Sequence, residues 1–534
     1  MPLWSQATFA QAPLVESIEV RVVNVDVVVT NRAGVPVTGL TADDFELLED
    51  GRKQPLTNFY EIESSEDGQT TRTKDGAELR PRRFFFFIDA SSLYPQVRDE
   101  LVTSLRHFVS EQMRPDDQAS VLVWNGQIHV LSPLTKSRSE ADAALQKAST
   151  LATSGAVRNE VSRIQSRCAK ALELGRAGRL PMRAAYLDCI NNANDETDAT
   201  VAASRRMLNA MRVTLAMMGG VDGKKVMVVV GAQLPKKPGV ETFLWANSLF
   251  TPFLTGWDAP RARYNEDRPL AMDVADLANT ANSAGVTMYL MNAPIPADPI
   301  SASHDYGVSD QGMDFFHSAN TGEAFAELAR LTGGMSADHR FNSDAMFQAI
   351  RRDLSSYYSL GYKPKEHGGA PRHITVRAKN REYTVRARQT FIDRTATEQM
   401  NDRVIANVFN PAPNPDWPIL VHIGAPERQG STAKVALEVV IPPSAITLLP
   451  QEKILTGGFT VWIAVGDKRG ALSTVSRSPQ IVDVPLNEEK TFRSTPIVFT
   501  AQVTVRAGEN LVSIGVTDRI TGTAGFGRAV VKAE

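Results

Sequence analysis

The chain has 534 residues, with 58 Lys and Arg against 60 Asp and Glu and a formal net charge of -2. That balance removes the electrostatic case for a nucleic-acid binder, and a 43% hydrophobic content removes the case for a disordered chain. No apolar run approaches the roughly 18 residues of a membrane span, so no transmembrane segment is predicted, and the length calls for several domains.

Residues 1–13 lack the basic and apolar regions of a signal peptide, yet Ala10-Gln11-Ala12 has the small-x-small form of a cleavage site. Two readings stand here. One is the remnant of a longer leader, which makes the protein exported (periplasmic, outer-surface or secreted); the other is an Ala/Gln-rich disordered start. Over residues 14–61 apolar residues alternate (Ile18, Val20, Val22, then Val23, Val25, Val27, Val29 in the opposite phase), and turn signals stand at Asn31 to Gly34 and Glu49-Asp50-Gly51. This predicts a small β-sandwich with a bulge near Val22. Residues 62–81 are polar and aperiodic and read as a linker.

Residues 82–393 carry a β/α pattern. Phe84 to Ile88 and Val226 to Val230 are apolar without alternation, as for strands buried on both faces of a parallel sheet. Val97, Leu101, Leu105 and Phe108 recur at helical spacing, further helices are expected at Ser137 to Ala148, Asp276 to Ser283, Glu323 to Leu331 and Ala345 to Leu354, and Val286 to Met291 is a strand. The expected fold class is α/β, a doubly wound Rossmann-like unit flanked by N- and C-terminal β-sandwiches. An excess of helical stripe over about 155–215 predicts an inserted hairpin followed by a long helix returning to the sheet.

The only cysteines, Cys168 and Cys189, lie symmetrically about the breaker Gly175 to Pro181. Antiparallel helices joined there place them opposite each other, where a disulfide can form; a pair of buried thiols is the other reading. Two cysteines without a C-x-x-C do not suit a zinc site. Strand patterns over 356–393 predict an antiparallel extension of the α/β unit. Residues 394–417, Pro-rich from Pro411, read as a linker, and the regular alternation over 418–534 predicts an immunoglobulin-like sandwich.

Asp89-Ala90-Ser91-Ser92-Leu93, at the end of the first α/β strand, resembles the D-x-S-x-S loop of von Willebrand factor A domains. Together with Gly39-Leu40 to Phe45, Glu49-Asp50-Gly51, Gly223-Lys224-Lys225, Leu331-Thr332-Gly333-Gly334 and Tyr357 to Tyr362, in this order, it makes the chain resemble acidobacterial-type VWFA-related proteins. The resemblance implies a Rossmann-like A domain, exported bacterial relatives and a magnesium site at the carboxyl edge of the sheet. It brings no defined activity. The donors depart from that pattern: Leu93 stands where a third oxygen ligand is expected, the Gly-Gly-Thr loop expected after the second helix is at best Ala152-Thr153-Ser154-Gly155, and Gly231-Ala232-Gln233 supplies no second carboxylate. Magnesium demands near-octahedral oxygen geometry, so the expectation is no cofactor, with Asp89 as a strand-end turn or helix-capping residue. The alternative keeps Mg2+ on Asp89, Ser91 and Thr153, completed by water and a partner's carboxylate.

Beyond the sheet edge stand Gln233, Lys236, Lys237 and Asn292, near long polar segments at 255–268 and 294–321. They mark a candidate ligand edge for a protein or cell-surface partner of acidic character; solvated lysines and floppy loops are the bland reading. No catalytic residue is expected. There is no H-E-x-x-H, G-x-S-x-G or G-x-G-x-x-G, and Gly223-Lys224 precedes a strand and so is not a phosphate loop. The sequence thus reads as a non-enzymatic interaction or adhesion protein. A magnesium-dependent adhesion module and an enzyme using His317 in the 294–321 loop are the alternatives.

Overall fold

Four consecutive phenylalanines sit at the centre of the molecule, in the strand Arg82–Asp89 of a six-stranded sheet. This computed structural model describes residues 22–64, 71–73, 81–151, 156–231, 234–256, 270–293, 310–337, 343–364, 369–410, 417–467 and 470–533. Along the sheet lie Ile128–Thr135, Gln118–Trp124, Arg82–Asp89, Lys224–Gly231, Val286–Asn292 and Ser336–Ala337. In chain order this is the 3-2-1-4-5-6 arrangement of doubly wound folds, parallel throughout except that Ile128–Thr135 runs antiparallel at the edge. Because side chains alternate across a strand, Phe84 and Phe86 enter one helical layer and Phe85 and Phe87 the other, all at most 1% exposed. Helices Pro95–Glu111, Arg138–Thr150 and Ser343–Ser355 cover the first face. Met182–Gly219, Ala271–Ser283 and Asp310–Thr332 cover the second.

The insertion forms as a hairpin of Ala156–Arg176 and Met182–Gly219, turned by Gly178 in the left-handed region (φ 67°). Cys168 and Cys189 are joined by a disulfide with a Cα–Cα distance of 4.8 Å. The hairpin's second arm and the helix returning to the sheet, expected as two elements, are one helix of 38 residues. No Gly or Pro interrupts it before Gly219. The polar stretch around Asn191 to Thr200 breaks the apolar stripe in the sequence but not the backbone.

The first sandwich corrects the expected boundaries. Val23–Thr30 lies between Ser356–Tyr362 and Thr384–Ala387, antiparallel to both, and Ser356–Tyr362 in turn pairs with Leu56–Ser64. In the second sheet Arg372–Ala378 pairs with Phe45–Glu49. Residues 356–393 are therefore not an extension of the α/β unit; they complete the N-terminal sandwich that 14–61 was expected to form alone. The physical reason is core size: Val25, Val27, Phe45 and Leu47 are buried only with Tyr358, Leu360, Tyr362 and Ile374 in place. Part of the expected 62–81 linker is strand as well, Thr71–Thr73 pairing with Ile62 to Ser64. The α/β unit is thus inserted within a sandwich made by both flanks.

That sandwich is locked to the α/β unit by a buried polar cluster. Asp353 accepts two hydrogen bonds from Arg386 (2.6 and 2.7 Å) and one from the Tyr289 hydroxyl (3.0 Å). Beside it the Leu331-Thr332-Gly333-Gly334 motif has a structural use. Gly333 has φ 78°, and a Cβ there would lie 2.7 Å from the Ala387 carbonyl carbon.

The expected 394–417 linker contains the helix Ala396–Phe409, opened by a reciprocal capping box of Thr395 and Glu398. It wedges between the end of Met182–Gly219 and the C-terminal sandwich. Met400, Val404 and Val408 are buried, and the Asn407 amide donates to Ser513 Oγ (2.8 Å) and the Gly527 carbonyl (3.0 Å). Gly515 makes room for it, since a Cβ there would fall 2.7 Å from Val404 Cγ2. The C-terminal unit is a two-sheet antiparallel sandwich. One sheet contains Leu420–Ile423, Glu427–Gln429, Thr432–Ile441 and Ile497–Arg506; the other contains Leu448–Gln451, Ile454–Asp467, Ser476–Pro485, Gly508–Asp518 and Ala524–Ala533.

Candidate functional site

In an open doubly wound sheet the chain leaves adjacent strands in opposite directions at one place, and the crevice outside their carboxyl ends is where ligands bind. Here that place lies between Arg82–Asp89 and Lys224–Gly231, which pair in parallel up to Ile88 and Val230. Asp89 ends the first of these strands and Gly231 the second; Asn292 ends the neighbouring one, in register with Gly231.

Asp89 is 1% exposed. Its Oδ1 accepts from the Ser91 hydroxyl and from the Ser91 backbone N–H (3.1 Å), while the Ser92 hydroxyl donates to the Asp89 carbonyl (3.3 Å). Burial pushes the carboxyl above its ordinary pKa of 3.8, and the hydrogen bonds from Ser91 and Ser92 oppose that shift without cancelling it. Of the two roles expected for a metal-free Asp89, the structure shows the strand-end turn; the following helix starts from Tyr94. A side chain at position 231 would crowd Asp89, with its Cβ 3.3 Å from the Asp89 Cβ and 3.6 Å from Oδ2. Leu93, at the third ligand position, is 2% exposed and packs in the core with Val97 and Leu101. Thr153 and Gln233 lie outside the described residues.

Asp89 and Ser91 are the two oxygen-bearing side chains of the expected set that the described residues bring together. Among those residues no group of three or more His, Cys, Asp or Glu side chains is arranged to hold a metal. One carboxylate, already bonded by its own loop, and one hydroxyl do not fit the near-octahedral demand of magnesium.

The lysines are placed differently from their expected role. Lys236 forms ion pairs with Glu323 (2.7 Å) and Glu327 (3.2 Å), and the hydrogen bond it donates to the Glu323 carboxylate holds its pKa above the ordinary 10.5. Lys237 is exposed, and its backbone is clamped by Asn320: its N–H donates to the Asn320 Oδ1 (2.8 Å), and the Asn320 amide donates to its carbonyl (2.9 Å). Asn320 was missed as a site residue because 294–321 was expected to be loop; Glu323 and Glu327 fall in the helix expected from Glu323 to Leu331, but nothing local tied them to Lys236, 87 residues before Glu323. Residues 310–332 are one helix, and the 3- and 4-residue spacing of these three side chains was the available signal. Asn292 is 7% exposed, with its amide nitrogen 3.5 Å from where a Cβ on Gly322 would sit. His317, the residue of the enzyme alternative, lies on this helix, and its side chain is not described.

The central unit is a doubly wound α/β fold, a mostly parallel sheet covered by helices and flanked by antiparallel β-sheets, with Asp89, Ser91 and the core-packed Leu93 at its carboxyl edge. No family model matches the sequence, and no curated protein matches it. Solved structures similar in shape include an aerotolerance-related membrane protein of Bacteroides fragilis, at 12% identity over 51% of this chain and 98% of that one (TM-score 0.24). BatB of Bacteroides thetaiotaomicron is similar at 12% identity over 51% and 97% (TM-score 0.23). The human COPII-coat protein Sec24c is similar at 11% identity over 66% and 51% (TM-score 0.25). At such scores these likenesses carry no functional argument, and the fold class rests on the strand order.

Proposed function

We propose that this is a non-enzymatic protein-binding unit that works through the carboxyl edge of its central sheet without a metal ion. The observation that carries the reading is the pairing of a self-satisfied Asp89 with a core-packed Leu93 at the strand-order switch. A ligand there meets a buried, hydrogen-bonded turn in place of an exposed cation. The edge for an acidic partner is narrower than the sequence implied, because Lys236 is neutralised within the chain and Lys237 is the exposed lysine. The Cys168–Cys189 bridge supports a working place outside the reducing cytoplasm.

A magnesium-dependent reading keeps one observation in its favour, the meeting of Asp89 and Ser91 at this edge. Calorimetry separates the two. Magnesium, calcium and manganese are expected to give no saturable heat up to millimolar concentration. Binding at that level or tighter, abolished by Asp89→Ala, overturns the metal-free reading. Affinity capture from a native cell envelope is expected to recover the same partners with and without chelator, and Lys237→Glu is expected to weaken that capture.

A further inference from the structure

We propose that the C-terminal sandwich joins a second copy of this chain edge to edge, through antiparallel pairing of the strand Ile497–Arg506 with its own symmetry mate. Among the described residues this ten-residue strand pairs only with Thr432–Ile441, so its other edge presents a row of backbone donors and acceptors. Natural proteins protect such edges with charge, proline or a bulge, because an unprotected one is a template for another strand. The other outer strands of this sandwich are protected by charge, by proline or by shortness: Leu420–Ile423 spans four residues, and Leu448–Gln451 spans four and contains Pro450. Ser476–Pro485 contains Arg477, Pro479, Asp483 and Pro485; Ala524–Ala533 contains Arg528 and Lys532; Glu427–Gln429 begins with Glu427 and Arg428. From Ile497 to Val505 there is no charge, no proline and no glycine, and four residues are β-branched valines or isoleucine on alternating faces with Phe499 between them.

Burial points the same way. Ile497, Phe499, Ala501 and Val503 face the sandwich interior but are only half-buried, whereas their cross-strand partners Ile441, Val439, Leu437 and Val435 are 0–1% exposed. On the outer face Val498 is 51% exposed beside Val440, with Leu420 beyond it at 57%.

The occupant must be extended, uncharged over about nine residues and apolar at alternate positions, and the strand itself meets each requirement. A two-fold axis at Ala501, the centre of the uncharged run, sets Phe499 of each copy opposite Val503 of the other and Thr500 opposite Gln502. Such a contact is isologous and closes as a dimer, so it blunts the edge without growing into a fibre.

Sedimentation velocity of the full chain tests this. The wild type is expected to be a dimer at micromolar concentration. The outward-facing double variant Thr500→Lys, Gln502→Lys sets like charges opposite each other and is expected to raise the dissociation midpoint by about tenfold or more, with circular dichroism unchanged. Cross-linking supplies the register, since both native cysteines are held in the disulfide. Mixed Thr500→Cys and Gln502→Cys chains are expected to form an interchain disulfide under mild oxidation. A wild type that stays monomeric, including one whose edge takes up a strand of another protein, overturns the proposal. So does a dimer that neither responds to the lysines nor forms the cross-link.

Discussion

A buried carboxylate held by two serines is a thermodynamic liability unless something repays it. Asp89 has its pKa raised mainly by burial, so the folded state binds this proton more tightly than the unfolded chain does. The group therefore costs stability above its folded pKa, and the cost fades as pH falls through that value towards 3.8. Asp89→Asn keeps an acceptor for Ser91 and removes the charge. It is expected to raise the urea midpoint at pH 7, with the gain over wild type vanishing as the pH approaches the ordinary carboxyl range. An Asp89→Asn chain less stable than wild type at pH 7 would show that the charge is compensated by a partner beyond its serines. The sequence disclosed Asp89, Ser91 and Leu93 because all three sit in one short loop. It did not disclose the partners of Lys236, because Glu323 and Glu327 lie some 90 residues downstream on an expected helix and a pairing across that distance leaves no local signal.

At the scale of elements, the helix Ala396–Phe409 is the least expected part of the molecule and the most useful as a joint. Its N-terminal signal, Thr395 followed three residues later by Glu398, is a capping box legible in the sequence. The nearby Asn410 to Pro415 run outweighed it. Thr395→Ala is expected to cost about 1 kcal/mol, the usual price of a lost cap. Val404→Ala, which opens space beneath Gly515, is expected to cost roughly 2 kcal/mol or more by cavity formation. Both are measurable by denaturant unfolding. The paired cysteines were equally legible, being symmetric about a breaker. Their bridge closes a separation of 21 residues, so the Cys168→Ala, Cys189→Ala double variant is expected to lose about 3 kcal/mol on the chain-entropy account. Thermal melts with and without reductant give an independent check on that value.

For the whole molecule, the strands were readable one by one but their assignment to sheets was not. Period-2 alternation identifies Ser356–Tyr362 and Arg372–Ala378 as strands; it says nothing about partners at the far end of the chain, and adjacency in sequence favoured the α/β unit that precedes them. The central sheet was legible for the opposite reason, since parallel strands separated by helices leave few topologies open. A direct test follows from the pairing. Residues 22–64 joined by a flexible linker to 356–393 are expected to fold into a β-rich, cooperatively melting unit, whereas 22–64 alone is expected to remain unfolded.

The closure of this sandwich also sets a clock. The Tyr358 hydroxyl donates to the carbonyl of Val37, 321 residues earlier in the chain. At synthesis rates of about 5–20 residues per second, the first strands wait on the order of 15–60 s before their partners exist. Through that interval Val23, Val25, Val27 and Val29 have no core to enter, and the nascent chain carries an adhesive N-terminal stretch while the α/β unit is still being made. Ribosome-arrested chains ending before residue 356 should therefore be cut readily by protease within residues 22–64, and chains extended past residue 393 should not.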